Sequence, residues 1–225
     1  MEEGTLQHTM MAFWEYVLLL EICHKLLLKD RKRHLVDHEI FEPYKKLSEI
    51  YNVTDYETEG DFSERISGLI LKIHNEYQKK YSGKSGVRLS SSQVTELLYR
   101  HDVKLLKEEV MSYMKNKDIL WLLFDNIDKG WPTTGLEHED LMIIRALIES
   151  TRKIERQFSK SNIGVNSIIF LRNDVYELLV KETSDRGKEA SVILDWTDPD
   201  LLRELVRVRI VSNDLEEDID FNTVW

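Results

Sequence analysis

The sequence has little cysteine, glycine or proline. One cysteine, Cys23, occurs among 225 residues, so an internal disulfide is impossible and a reducing cytoplasm is the expected compartment. With 9 glycines, 3 prolines and 42% hydrophobic residues, the chain lacks the composition of disordered or low-complexity proteins. We therefore expect an ordered, helix-rich, soluble protein.

An excess of positive charge is also missing. The formal net charge is −10 at pH 7, which argues against a general binder of nucleic acids or anionic membranes. The basic segments at 29–33 and 79–80 are interpreted as solvated surface. His34 and His38 have the spacing of a metal pair on a helix, but the nearest other candidate ligands, Cys23 and His24, belong to the apolar helix before them, so we interpret the pair as part of a solvated basic turn.

No long apolar segment is free of charge. The most apolar N-terminal stretch, residues 10–28, contains Glu15, Glu21 and Lys25, which would be costly at membrane depth. It has neither a basic segment before it nor a small-residue cleavage site after it, so a signal peptide is not expected. We predict a buried helix and no membrane association.

The N-terminal half has the periodicity of helices. Apolar residues repeat at helical spacing in four segments, at about 9–29, 40–51, 61–81 and 91–115. Between the last two lies Gly83-Lys84-Ser85, which matches the end of a phosphate-binding P-loop. That loop needs a glycine where this chain has Gln78, and a buried strand where this chain has a charged helix. We interpret the tripeptide as part of a surface loop.

The C-terminal half alternates strands with helices. Six consecutive apolar residues at 119–124 follow a charged run and indicate a strand buried on both faces of a parallel sheet. Further strands are predicted at 165–171 and 191–195, with helices at 137–160, 175–183 and 201–210. The order β-α-β-α-β-α predicts a parallel sheet with right-handed crossovers.

Polar residues follow each predicted strand. Asp125 and Asp128 follow the first, Arg172 and Asn173 the second, and Asp195 ends the third. The carboxyl ends of parallel strands meet at one edge, where open α/β sheets carry their chemistry. An aspartate there can hold the magnesium of a bound nucleotide, as a Walker B residue does. The alternative is a buried strand that ends in an ordinary turn containing aspartate.

These motifs resemble the C-terminal part of a P-loop ATPase core, nearest to the bacterial STAND and AAA-like groups. Residues 125–128 are similar to the Walker B signature of STAND proteins, Asp-x-hydrophobic-Asp, and residues 168–174 are similar to the sensor 1 strand. Arg203, Arg207 and Arg209 resemble the arginines of the helix after the last core strand. The resemblance covers about residues 119–210 and implies a three-layer αβα, P-loop NTPase-like fold that is incomplete.

The resemblance also implies a nucleotide site with ATP and Mg²⁺ as cofactors. Asp125 would bind the metal, Asp128 would orient the attacking water, and Arg172 or Asn173 would sense the γ-phosphate. Two residues depart from the family pattern. Asn126 stands where many related ATPases have a glutamate, and Lys129 stands where STAND proteins often have an acid.

The Walker A loop of the family is missing from the sequence. It would lie ahead of residue 1, so we expect either a truncated or split ATPase or a degenerate relative. The expected regions are a helical part at 1–117, half of an ATPase core at 118–212 and an acidic tail at 213–225.

Two functions follow from these expectations. The first is ATP hydrolysis or a nucleotide-dependent switch, conditional on a P-loop being supplied. The alternative is a non-catalytic, degenerate ATPase-like module that binds a protein partner or forms a homo-oligomer, because an incomplete sheet leaves an edge and an apolar face open.

Overall fold

The computed structural model describes residues 2–54, 56, 59–81, 91–100, 102–127, 138–182, 191–193 and 197–212. This part of the chain is mostly helical and contains one two-stranded parallel sheet. The chain divides into two compact units, Met1–Leu179 and Val180–Trp225.

The first unit contains most of the regular structure. Its helices are α1 (Glu2–Asp30), α2 (His38–Thr54), α3 (Phe62–Tyr81), α4 (Ser91–Arg100), α5 (Val103–Met114), α6 (His138–Ser159) and α7 (Asn173–Glu182), whose last residues belong to the second unit. Its strands are β1 (Ile119–Phe124) and β2 (Gly164–Ile169). A short 3₁₀ turn at Arg33–Leu35 joins α1 to α2. In the second unit, α8 spans Pro199–Val211.

Helix α1 is the centre of the core. It packs against α2, α4, α5 and α6, and its middle residues Tyr16, Val17, Leu19 and Leu20 are fully buried. This environment confirms the buried helix predicted from residues 10–28. Across the described residues, none of the helices combines the length and the hydrophobicity needed to cross a bilayer.

Local chemistry sets several helix ends. Asp61 and Glu64 form a reciprocal capping box at the start of α3: the Glu64 N–H donates to Asp61 Oδ1 at 2.9 Å, and the Asp61 N–H donates to Glu64 Oε2 at 2.8 Å. The single helix predicted at 91–115 is instead two helices, α4 and α5. Asp102 between them has φ of 50°, a left-handed conformation that cannot continue a right-handed helix.

The predicted three-layer αβα fold is wrong. The sheet has two strands in parallel register, from Ile119 opposite Gly164 to Phe124 opposite Ile169. Of the third predicted strand, residues 191–193 are described and form no strand, and residues 194–195 lie outside the described part. A wide parallel sheet with helices on both faces is therefore replaced by a helical assembly with a small sheet at its side.

Strand β1 is not buried on both faces either. Leu120, Leu122 and Phe124 pack on the helical core, whereas alternate residues of the strand are exposed. A continuous apolar run does not distinguish a strand covered on both faces from one covered on a single face. The prediction that β1 is covered on both faces is therefore wrong. It assumed a second layer of helices, for which the six apolar residues alone gave no evidence.

The turn from α6 into β2 is a Schellman motif. Asn162 has φ of 57°, the Ile163 N–H donates to Phe158 O at 3.0 Å, and the Asn162 N–H donates to Ser159 O at 3.0 Å. Phe158 and Ile163, the apolar residues that bracket the motif, are both buried in the main core. The motif thereby directs the chain from α6 into the sheet.

Candidate functional site

The carboxyl ends of β1 and β2 lie side by side. The Phe170 N–H donates to Phe124 O at 2.9 Å, which extends the strand pairing by one residue beyond β2. Asp125 directly follows β1, and Arg172 and Asn173 follow β2 after two residues. The parallel pairing therefore brings these three predicted site residues to one edge of the sheet.

Asp125 is exposed and makes a local contact. Asn126 adopts a left-handed conformation with φ of 57°, and its Nδ2 donates to Asp125 Oδ2 at 3.2 Å. Asparagine tolerates this conformation better than most residues. Asp128, predicted to orient water, lies outside the described residues, as do Lys129 and Asp195.

Arg172 and Asn173 bind side chains of α7. The Arg172 Nε donates to Asp174 Oδ1 at 3.1 Å, and its Nη2 donates to the other oxygen of the same carboxylate. These hydrogen bonds hold the pKa of Asp174 below its usual value. Asn173 Nδ2 donates to Glu177 Oε1 at 3.0 Å. Both predicted sensor residues thus have partners at the start of the helix that follows β2.

Among the described residues that follow β1, the predicted magnesium site is represented by the carboxylate of Asp125. In the described ranges, no group of three or more histidine, cysteine, aspartate or glutamate side chains could hold a metal. Asp125 is an exposed carboxylate that already accepts a hydrogen bond from its neighbour. Magnesium sites in nucleotide-binding proteins combine one or two carboxylates with phosphate oxygens of the nucleotide. The tripeptide that matches the end of a phosphate-binding loop, Gly83-Lys84-Ser85, lies outside the described part.

The arginines of α8 pair along their own helix. Arg203 contacts Asp200 at 3.6 Å, and Arg207 Nε donates to Glu204 Oε2 at 2.8 Å. Arg209, the third of the set, is exposed in the last turn. The helix begins as its sequence predicts, because Asp198 caps Pro199–Val211 by accepting from the Asp200 N–H at 2.9 Å.

The outer face of the sheet is an exposed apolar surface in the described part of the first unit. Side chains of one strand alternate between its two faces, and the register places the odd positions of β1 beside the even positions of β2. Five large apolar side chains on this face are between 41% and 63% exposed: Ile119, Trp121, Leu123, Ile168 and Phe170. We call this set the sheet face.

Few polar groups interrupt the sheet face. Asn166, opposite Trp121, is its exposed polar residue, and Gly164, opposite Ile119, contributes no side chain. A Cβ added at Gly164 would lie 3.3 Å from Ile119 Cγ1, so the two strands approach closely there. Parallel sheets are normally covered on both faces, and contiguous exposed apolar patches mark interaction sites. The sheet face is therefore the candidate interaction site.

Sequence reasoning expected an open apolar face on an incomplete sheet but did not identify its residues. The exposed and the buried positions of β1 are equally apolar, so the strand carries no alternation to read. The available signal is in β2, where Asn166 is a polar residue in a segment predicted to be buried. Ser167 beside it lies on the opposite face and donates to Glu155, so polarity alone does not identify the exposed face.

Another polar cluster, found only in the structure, joins α1 to α3 and to the segment between α2 and α3. Arg65 Nε and Nη2 donate to the two carboxylate oxygens of Glu21, both at 2.7 Å, and Tyr56 Oη donates to Glu21 Oε1 at 2.7 Å. Arg65 Nη1 donates to Gly60 O at 2.6 Å. Burial disfavours the charge of Glu21, but the hydrogen bonds outweigh this effect and its pKa lies below its usual value. The arginine is buried, each of its three guanidinium nitrogens donates a hydrogen bond within the cluster, and we assign the cluster a structural role.

Compared with protein-family models, curated proteins and solved structures, the chain gives no match. The resemblance to P-loop ATPases thus remains a hypothesis that depends on the motif residues.

Proposed function

We propose that the chain is a non-catalytic protein-interaction module whose contact surface is the sheet face. The observation that carries the proposal is the exposure of Trp121, Leu123 and their apolar neighbours on one side of a parallel sheet. A partner that covers this surface gains a binding free energy of about 25 cal/mol for each Å² of apolar area that it removes from water. Large aromatic side chains are also the residues that contribute most to protein interfaces.

The inner face of the sheet holds the sheet face in place. Leu120, Leu122 and Phe124 anchor β1 to the helical core, so the outer residues are presented from a supported platform. A preformed surface loses less conformational freedom on binding than a loop that must become ordered. We place this module in the cytoplasm, in keeping with the single buried Cys23.

Photo-crosslinking tests the proposal at the residue concerned. With p-benzoylphenylalanine in place of Trp121, we expect irradiation of native host cells to give a protein adduct of the chain. With the same group in place of Val53, which is 86% exposed on α2, we expect none. The measurement is the shifted band and its identification by mass spectrometry.

The yield of adduct should also depend on the rest of the surface. Leu123→Asp places a charge in the middle of the sheet face and should suppress the adduct at position 121. Equal adducts from positions 121 and 53, or none from position 121, would overturn the proposed function.

A nucleotide-dependent switch is the second candidate. It is favoured by one observation, the position of Asp125 and Arg172 after neighbouring strand ends at one edge. This candidate predicts that Mg-ATP at about a hundred times its Kd raises the free energy of unfolding by roughly 2.7 kcal/mol. The interaction module predicts no change, so thermal unfolding with and without Mg-ATP separates the two.

The matched variants for this measurement lie at the two ends of β1. Asp125→Ala should abolish a nucleotide-dependent shift in Tm, whereas Asp118→Ala, the exposed acid before the strand, should preserve it. A shift that survives Asp125→Ala would show that ATP binds elsewhere and would remove Asp125 from the candidate site.

A further inference from the structure

The junction between α1 and α2, in the first unit, carries a run of exposed cations. Residues 25–38 contain five lysines and arginines against two acids, a net charge of +3 in a chain of −10. One of the cations, Arg33, pairs with Asp37 at 2.9 Å. The other four are exposed and form no ion pair within the described part of the chain: Lys25, Lys29, Arg31 and Lys32.

The second acid of this run, Asp30, is turned away from the exposed cations. It is buried, and its carboxylate accepts hydrogen bonds from Tyr113 Oη at 2.6 Å and from Lys117 Nζ. Lys117 comes from the segment between α5 and β1, and together with Asp30 it forms a neutral pair. Asp30 therefore does not offset the charge of its neighbours in the sequence.

Exposed aliphatic side chains lie among the cations. Leu28, in the last turn of α1, is 55% exposed. Leu35 and Val36, at the end of the 3₁₀ turn, are 70% and 83% exposed. We call the four unpaired cations and these three aliphatic residues the basic corner.

The backbone of the basic corner is held in place from the inside. The His34 ring stacks on the ring of Tyr44 in α2 with 3.8 Å between the ring centres, and Tyr44 Oη donates to Leu27 O at 3.2 Å. The Val36 N–H donates to Arg33 O at 3.1 Å. Because these contacts fix the turn, the basic corner loses little conformational freedom when it binds.

Cations beside exposed aliphatic side chains match the surface of an anionic bilayer. Lysine and arginine are attracted to the lipid head groups, and apolar side chains enter the boundary between head groups and acyl chains. A nucleic acid would pair its phosphates with the cations and leave the aliphatic side chains in water, since bases stack on aromatic rings. A stable protein interface usually takes about 20–30 residues from each partner, whereas the basic corner has seven.

We propose that the basic corner docks on the anionic surface of a phospholipid bilayer. This inference goes beyond the proposed function and uses a different surface from the sheet face. Docking at the surface needs no spanning helix, so it is compatible with the helices of the described residues. It also agrees with the cytoplasmic location proposed above, because the cytoplasmic leaflet carries anionic lipids.

The net charge of −10 does not oppose this contact. Exposed charges are screened from one another beyond about 10 Å at moderate salt, so the cations nearest to the bilayer dominate the interaction. The expectation of no membrane association depended on the charges within residues 10–28, which exclude a span and have no bearing on a local surface.

Co-sedimentation of the full chain with vesicles tests the docking. We expect binding to equimolar phosphatidylcholine and phosphatidylserine, weakened by added salt, and none to phosphatidylcholine alone. Arg31→Glu combined with Lys32→Glu should lower the partition coefficient about 25-fold or more, because each cation near an anionic surface contributes a factor of about five. Lys79→Glu combined with Lys104→Glu changes the net charge equally at exposed sites of α3 and α5 and should have little effect.

Two valines test the apolar part of the contact. Val36→Asp removes an aliphatic side chain from the basic corner and should lower the partition coefficient about tenfold. Val53, at the other end of α2, is 86% exposed, and Val53→Asp should leave the binding unchanged. Equal losses from the two substitutions would overturn the assignment of the contact to the basic corner.

The remaining outcomes separate this inference from the proposed function. Leu123→Asp on the sheet face should leave vesicle binding unchanged, and the Arg31→Glu, Lys32→Glu variant should keep the photo-crosslink from position 121. No binding to the phosphatidylserine vesicles at low salt, or equal binding to both kinds of vesicle, would overturn the docking. Binding to duplex DNA in place of vesicles, with the same dependence on Arg31 and Lys32, would also overturn it and would assign the basic corner to nucleic acids.

Discussion

Replacing Arg65 by alanine is expected to lower the free energy of unfolding of the first unit by about 3–5 kcal/mol. The substitution leaves the Glu21 carboxylate without its two hydrogen bonds from the guanidinium, and it leaves Gly60 O without its donor. The side chains of Arg65 and Glu21 are only 4% and 13% exposed, so water cannot fully replace the lost partners. Urea denaturation followed by far-ultraviolet circular dichroism measures the change.

Arg33 provides the control for this experiment. It pairs with Asp37 at 2.9 Å on the surface, and its side chain is 54% exposed. Exposed ion pairs contribute roughly 0–1 kcal/mol, so Arg33→Ala should change the stability very little. Similar losses for Arg33→Ala and Arg65→Ala would contradict the assignment of the buried cluster as a main support of the helical core.

The pH dependence provides an independent check of the same pair. Because the pKa of Glu21 is lower in the folded chain, its contribution to stability is complete above the ordinary pKa of a glutamate and is lost as the pH falls through the folded value. Without Arg65, the hydrogen bond from Tyr56 remains, but the hydrogen bonds and the charge of the guanidinium no longer oppose the effect of burial, so the pKa of Glu21 should rise. The acid-side loss of stability should therefore be smaller in Arg65→Ala than in the wild type.

Local patterns predicted the elements better than their assembly. The segment Ile119–Phe124 is a strand as predicted, and α6, at His138–Ser159, lies within two residues of its predicted range. Single elements are determined by short-range periodicity and by caps, such as Asp198 at the start of α8. The number of strands in a sheet depends on pairings between distant segments, and one apolar run gives no information about its neighbours.

The candidate site shows the same limit. The meeting of the residues after β1 and β2 at one edge followed from parallel pairing, which could be predicted. The identity of the exposed residues on the sheet face could not be predicted, because their exposure depends on which helices pack around α1. The Glu21–Arg65 pair was equally hidden, since its partners are 44 residues apart and no local pattern links them.

Phe158→Ala is expected to be the most destabilising substitution at the junction between the helices and the sheet, with a loss of about 3–5 kcal/mol. The side chain is fully buried, and truncation removes its contacts and leaves a cavity. The backbone carbonyl of Phe158 accepts from the Ile163 N–H in the Schellman motif, so the residue that loses its packing also directs the chain into β2.

The matched control is Phe41→Ala, which removes the same side chain from α2 at a position that is 42% exposed. We expect a clearly smaller loss there, because much of that ring is already in water and its removal leaves no closed cavity. Equal losses for the two variants in urea denaturation would contradict the assignment of Phe158 to the core. A large loss at Phe158 alone would instead show that the junction between α6 and β2 belongs to the cooperative core of the first unit.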